Sequence, residues 1–213
     1  GIEVPRRLIY PNEMKNKAYE TISTQLLKCH LGQATDIYWH NSPDSIPTEE
    51  EYLQMTANKS GSLACMAAKL GALIGGGNQK QIETLGKFGE TAGVVFQIQD
   101  DILNIDPKNR LGKDYGDDIK EGKRSLLAIH TLQVASEKEK KRLLEILNKH
   151  TNDKELLKEA IEIINKYNSI EYAKKTAKEI AEKAWKEIEA VLPETEAKKQ
   201  LKEISELMIE RVV

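Results

Sequence analysis

Apolar positions recur with a helical period along almost the whole chain. Asn12 opens a pattern that runs to about Leu31, with Ile22, Leu26 and Cys29 on its apolar side, and Gly32 reads as its break. The polar stretch Asn41 to Pro47 reads as a loop. Thr48-Glu49-Glu50-Glu51 after it has the form of a capping box, threonine at the N-cap and glutamate three residues on. From Tyr52 to Gly77 only Lys59 and Lys69 are charged, so this helix is apolar or small on nearly every face and belongs in a protein centre. Gly75-Gly76-Gly77-Asn78 ends it. A second central helix spans about Gln79 to Ile105 and stops before Pro107, and Asp106 to Asp118 reads as a loop. From Ile119 onward amphipathic helices follow, with breaks near Ser136, Thr151, Asn168 and Pro193. No repeat or low-complexity linker interrupts the chain. The pattern predicts one all-α domain over residues 1–213.

Composition narrows the function. Lysine and arginine number 32 against 34 acidic residues, a net charge of −2, which argues against a nucleic-acid binder held by a bulk basic field. A small basic pocket for a phosphorylated ligand stays open. The two cysteines, Cys29 and Cys65, cannot make a disulfide framework, so a reduced, cytoplasmic setting is expected. The most apolar stretch, Leu63 to Ile74, carries Lys69 inside it, which excludes a membrane span there. The first residues, GIEVPRRLIYPNE, hold no apolar signal core.

The chemistry concentrates in Gly86 to Asp106. At 100° per residue, Gln97, Asp101 and Asn104 fall within about 60° of one another, with Asp100 beside them. Gly86 and Gly93 lie on the same stripe, where missing side chains would open a cavity above the acids. Phe88, Val95, Ile98 and Ile102 take the opposite side. Adjacent aspartates with another oxygen one turn on are hard ligands suited to Mg²⁺. An acid pair in surface salt bridges is the plainer reading of the same residues. Three lysines add to the picture. Lys59 interrupts the apolar helix beside Ser60, Lys113 sits in the loop, and Lys123 follows in EGKRS. A lysine in an apolar helix needs an anion, either a phosphate or one of the aspartates.

Four spaced motifs carry a resemblance. They are Gly32-Gln33-x-x-Asp36, then Tyr52-x-x-Met55-x-x-x-Lys59-Ser60-Gly61, then the run from Phe96 through Gln97, Asp100 and Asp101 to Asn104. The last is Gly112-Lys113-x-x-Gly116-x-Asp118-x-x-x-Gly122-Lys123. In this order they resemble the polyprenyl synthetase family, the trans-isoprenyl diphosphate synthases, over the C-terminal two-thirds or so of a family member.

That resemblance implies an isoprenoid-synthase-type helical bundle around a central cavity, with N-terminal helices missing. It implies a prenyltransferase that ionises an allylic diphosphate with Mg²⁺ help and couples it to isopentenyl diphosphate. Short-chain products, geranylgeranyl or farnesyl diphosphate, are the expectation. By similarity Asp100, Asp101 and Asn104 form the second aspartate-rich motif and hold the metal, with Asn104 where the family normally has aspartate. Lys59, Lys113 and Lys123 would bind the diphosphate, and Ser60 and Gln97 would line the ionisation site. Tyr52 and Met55 either line the cavity or pack the core. A homodimer is implied, or a heteromer with a complete synthase. Nothing in Gly1 to Leu31 matches the first aspartate-rich motif or the residues that hold isopentenyl diphosphate, so a truncated form or non-catalytic subunit is the alternative. A terpene cyclase would need an Asn/Ser/Glu metal triad, and a two-iron bundle would need Glu-x-x-His pairs. Neither is found.

Overall fold

In a computed structural model, residues 11–105 and 116–210 are described, the side chains through residue 208. They are helical, with no strand among them. In chain order the helices are α1 (Asn12–His40), α2 (Glu49–Thr56), a π-helical turn (Ala57–Gly61), α3 (Ser62–Ile74) and α4 (Gln79–Ile105). Then come α5 (Asp117–Lys120), α6 (Leu126–Val134), α7 (Glu137–Asn148), α8 (Lys154–Lys166), α9 (Ser169–Glu189) and α10 (Glu196–Glu210). The all-α reading holds, and no helix among the described residues is long and apolar enough to cross a membrane.

Local chemistry sets most boundaries. Thr48 and Glu51 close the capping box in both directions, at 3.2 Å and 2.7 Å. Asn78 and Gln81 make the same reciprocal pair at the start of α4. Ser125, Ser136 and Asp153 each cap the helix that follows with a side-chain oxygen. Gly76, at φ 76°, closes the end of α3 in a left-handed conformation.

Gly32 does not break α1, which runs on to His40. A Cβ at Gly32 would lie 2.3 Å from the Lys59 backbone nitrogen, so glycine is there because α1 touches another backbone. The long apolar helix is likewise one continuous rod, but it is interrupted by the π turn. It is also not buried all round. α1 and α4 cover two of its sides, while Leu63 and Ile74 on the outer face are 44% and 42% exposed.

The core runs from Val95, Ile98 and Ile102 of α4 through Leu126 and Ile129 of α6 to Leu143 and Ile146 of α7. α9 lays Ala173, Ala177 and Ala181 against it. Small side chains at a spacing of four let α9 lie close along α4. The opposite flank of α4 is thereby left to face α3 and the π turn.

Candidate active site

Four helical elements bring their polar groups to one place. Gly61 and Gly93 fix the geometry. A Cβ at Gly93 would sit 2.6 Å from the Gly61 Cα and 2.7 Å from the Ser60 carbonyl oxygen. The glycines of α4 therefore do not open a cavity, as their shared stripe suggested. They let the π turn lie directly on the helix, and Gly86 does the same for the Lys69 side chain. Gly32 presses on the turn from α1. A π turn adds one residue to the helical repeat, and such turns often mark functional sites. Here it carries Lys59 and Ser60.

Ser60 donates to Gln97 Oε1 at 3.0 Å, and Gln97 Nε2 donates to Asp101 Oδ1 at 3.0 Å. Tyr52 donates its hydroxyl to Asp101 Oδ2 at 2.7 Å. Asp101 is buried, while its neighbour Asp100 is half-buried. Burial, and then the charge of Asp118, push the Asp101 carboxyl up to about 7. The same burial raises Asp118, although Lys123 binds it and works against the shift. One oxygen of Asp118, Oδ2, is buried with no hydrogen-bond partner among the described residues.

Lys59 does not meet Asp100 or Asp101, the aspartates the sequence offered it. Lys59 pairs with Asp36 of α1, which also accepts from His40 Nε2 at 2.7 Å. Burial pushes the Asp36 carboxyl up, but the His40 and Lys59 hydrogen bonds outweigh it and hold Asp36 below its ordinary value. Lys123 pairs with Asp118, and that carboxylate raises the ammonium pKa against the effect of burial. Asn104 accepts the Asp118 backbone N–H on Oδ1 at 3.0 Å and its own carbonyl receives Gly116 N–H at 3.0 Å. Lys113 and Gly112 lie outside the described residues. Arg124 is buried with no carboxylate partner among the described residues and donates to the carbonyls of Ser45 and Gly122 and to Asn148. It thereby ties the α1–α2 loop to the chain segment bearing Lys123.

Asp36, Tyr52, Lys59, Gln97, Asp101, Lys123 and Arg124 line one cleft of about 20 Å³. That space holds about one water, so a larger anion would lie across its mouth. Met55 also borders a broader groove of about 910 Å³ between α1, α2 and α4. Tyr52 and Met55 are thus both core residues and cleft walls, at 2% and 6% exposure. Among the described residues no three or more His, Cys, Asp or Glu side chains converge as a metal cage. Mg²⁺ does not need one, because it keeps water and phosphate oxygens around one or two carboxylates. The unpartnered Asp118 oxygen and the raised Asp101 fit a place that gains from a cation.

A family model described as polyprenyl synthetase matches residues 6–164. The chain belongs to that family. It is 37% identical over 201 residues to a short chain isoprenyl diphosphate synthase of Methanothermobacter thermautotrophicus, covering 94% of this chain and 60% of that one. A geranylgeranyl diphosphate synthase of Saccharolobus solfataricus is 37% identical over 197 residues, 92% of this chain and 58% of the relative. Among solved structures, the geranylgeranyl pyrophosphate synthetase of Pyrococcus horikoshii superposes with a TM-score of 0.86 at 35% identity. It covers 98% of this chain and 62% of its own. The chain spans about three-fifths of these relatives. Their shared architecture is the isoprenoid-synthase helical fold expected from the motifs.

Asp36, Asp118, His40 and Arg124 were given no role in the sequence reading. Asp36 and Asp118 stood inside the quoted motifs, and the position of Asp118 five residues before Lys123 was a usable signal. Nothing in the sequence pointed to His40 or Arg124.

Proposed function

We propose that this chain forms the allylic-diphosphate half of a trans-prenyltransferase, a short-chain prenyl diphosphate synthase making geranylgeranyl or farnesyl diphosphate. The observation that supports it is the meeting of Lys59, Lys123, Asp101 and the Ser60–Gln97 pair at one cleft. Mg²⁺, held by Asp100 and Asp101, would bridge to the diphosphate and neutralise the charge that builds up as it leaves. Asn104 would join those ligands only by releasing the Asp118 backbone. Lys59 and Lys123 each carry a carboxylate partner that holds the ammonium in place before an anion arrives. A diphosphate at the mouth would meet both ammonium groups already positioned, which is where preorganised charge aids a departing anion. Lys113 would add a third from the loop. Tyr52 and Met55 close the inner wall and keep water from the developing allylic cation.

Isopentenyl diphosphate would enter as the second substrate. These 213 residues show a single aspartate-rich motif, so condensation is expected to need more protein than is described here. That same fact favours the second reading, a non-catalytic subunit paired with a complete synthase. The outward stripe of Leu27, Leu31 and Tyr38 on α1, all exposed, supports a partner in either case, whether a second copy or a heteromer.

The test uses geranyl diphosphate. With Mg²⁺ the chain should bind it and slowly release inorganic diphosphate, and Lys59→Ala should lower that rate on the order of 10²-fold or more. Affinity for geranyl diphosphate that is the same with and without Mg²⁺ would overturn the proposal.

A further inference from the structure

Asp101 holds one donor on each carboxylate oxygen, and the two come from different directions. Gln97 reaches Oδ1 from one turn earlier on the same helix, at 3.0 Å. Tyr52 reaches Oδ2 from α2, 49 residues away in sequence, at 2.7 Å. The χ2 torsion of an aspartate is soft, so one donor alone leaves the carboxylate plane free to swing. A second donor from a separate element removes that freedom. The phenol is well suited to this. Its ring is 2% exposed and packed in the core, so the hydroxyl position is set by the fold rather than by the site. Each oxygen of the carboxylate still has a second acceptor direction.

As a stabilising device the pair is poor. A buried carboxylate with a phenol gains little over well-packed apolar side chains, because both groups must leave water. Burial and the Asp101 charge also raise the phenol pKa well above its ordinary value, so Tyr52 stays a donor across the neutral range. The pair supplies geometry more than stability.

We propose that Tyr52 is a positioning residue for the metal-holding acids: its hydroxyl fixes the Asp101 carboxylate in the orientation that faces the cleft. The inference rests on the reading of Asp100 and Asp101 as the acids that hold Mg²⁺. Groups that orient a metal ligand through a hydrogen bond commonly change metal affinity on the order of 10–100-fold when removed.

Tyr52→Phe keeps the ring and removes the donor. Inorganic pyrophosphate is titrated calorimetrically into the 213-residue chain with Mg²⁺ and again with Mg²⁺ removed by EDTA. The parent chain should bind pyrophosphate more tightly with Mg²⁺. Tyr52→Phe should reduce that enhancement on the order of 10–100-fold, so that the loss of affinity is far larger with Mg²⁺ than without it. In an Asp101→Asn background, Tyr52→Phe should cause no further loss, because its effect passes through the carboxylate. If Tyr52→Phe alone does not fold, the pair Asp101→Asn and Tyr52→Phe/Asp101→Asn carries the test, since neither leaves a buried charge. An unchanged Mg²⁺ enhancement in Tyr52→Phe, an equal loss with and without Mg²⁺, or a further loss in the Asp101→Asn background would overturn the inference. A parent chain that shows no Mg²⁺ enhancement would strike the metal reading itself and this inference with it.

Discussion

Two stripes of small residues line opposite flanks of the same helix, and they do different things. On one flank of α4, α9 presents Ala173, Ala177 and Ala181 to the core. On the other flank α4 itself offers Gly86, Gly89 and Gly93, and the chain it meets is the π turn and α3. Alanine lets two helices approach while each keeps its side chains. Glycine lets backbone meet backbone, with a virtual Cβ at Gly89 only 2.6 Å from the Ala64 carbonyl oxygen. The alanine side is a conventional amphipathic packing whose outer face carries exposed Lys/Glu pairs such as Lys175–Glu179. The glycine side sets the backbone of Lys59 and Ser60 directly against the neighbouring helices, beside buried carboxylates. Close packing alone is therefore not the signature of the site. Close packing of main chain, with charged groups buried next to it, is.

The comparison breaks first at its tightest point. Gly93→Val must displace Gly61 and Ser60, and it should cost about 3 kcal/mol and abolish pyrophosphate binding together. Urea unfolding and calorimetry read the two effects. A variant that keeps full affinity would show that the π turn does not depend on the glycine contact.

Next comes Lys59→Ala, which strands the Asp36 carboxylate. Removing one partner of a buried pair costs roughly 3–5 kcal/mol, and His40, still bonded to Asp36, should keep the loss near the lower end. Asp36→Asn added to it should recover much of the stability without restoring ligand binding. Equal melting of Lys59→Ala and the parent would mean that Asp36 does not need this lysine.

A pH series sharpens the contrast further. Asp101 titrates near 7 in the fold, above the 3.8 ordinary for an aspartate. Between those values the folded chain binds a proton the unfolded chain has released. This group's contribution to stability is therefore full below about pH 4, falls as pH rises to 7, and is constant above. Asp101→Asn should flatten that decline and raise the neutral-pH melting temperature by a few degrees, on the order of 2–4 °C per kcal/mol. An identical slope in parent and variant would contradict an Asp101 raised by burial and by the charge of Asp118.

The smallest effect belongs to the alanine side. Ala177→Gly should lower stability by about 1 kcal/mol, as expected for a helix interior, and leave pyrophosphate affinity unchanged. A loss of affinity there would mean that the two flanks are coupled.

The same contrast explains what could be read from the sequence. Breaks at Ser136, Thr151, Asn168 and Pro193, and the Thr48 capping box, were legible because their causes lie within a few residues. The Gln97–Asp101 stripe was legible because helical period alone brings the two onto one face. Gly32 was misread as a helix end, and Gly86 and Gly93 as the roof of a cavity, because a glycine's role there is set by a backbone distant in sequence. The partnership of Lys59 with Asp36 was hidden for the same reason. Spacing identifies which residues share a face but not which helix lies opposite.

The central claim is that buried carboxylates and lysines form one site for a metal and a diphosphate together. Thermal melts of the 213-residue chain in buffer, in Mg²⁺, in pyrophosphate with EDTA, and in both ligands test it most directly. A ligand at 100 times its dissociation constant stabilises by about 2.7 kcal/mol. That corresponds to a rise of roughly 5–10 °C for a chain of this size. The account predicts that rise with Mg²⁺ and pyrophosphate together, well beyond the sum of the two separate shifts. A combined shift equal to that sum would contradict it.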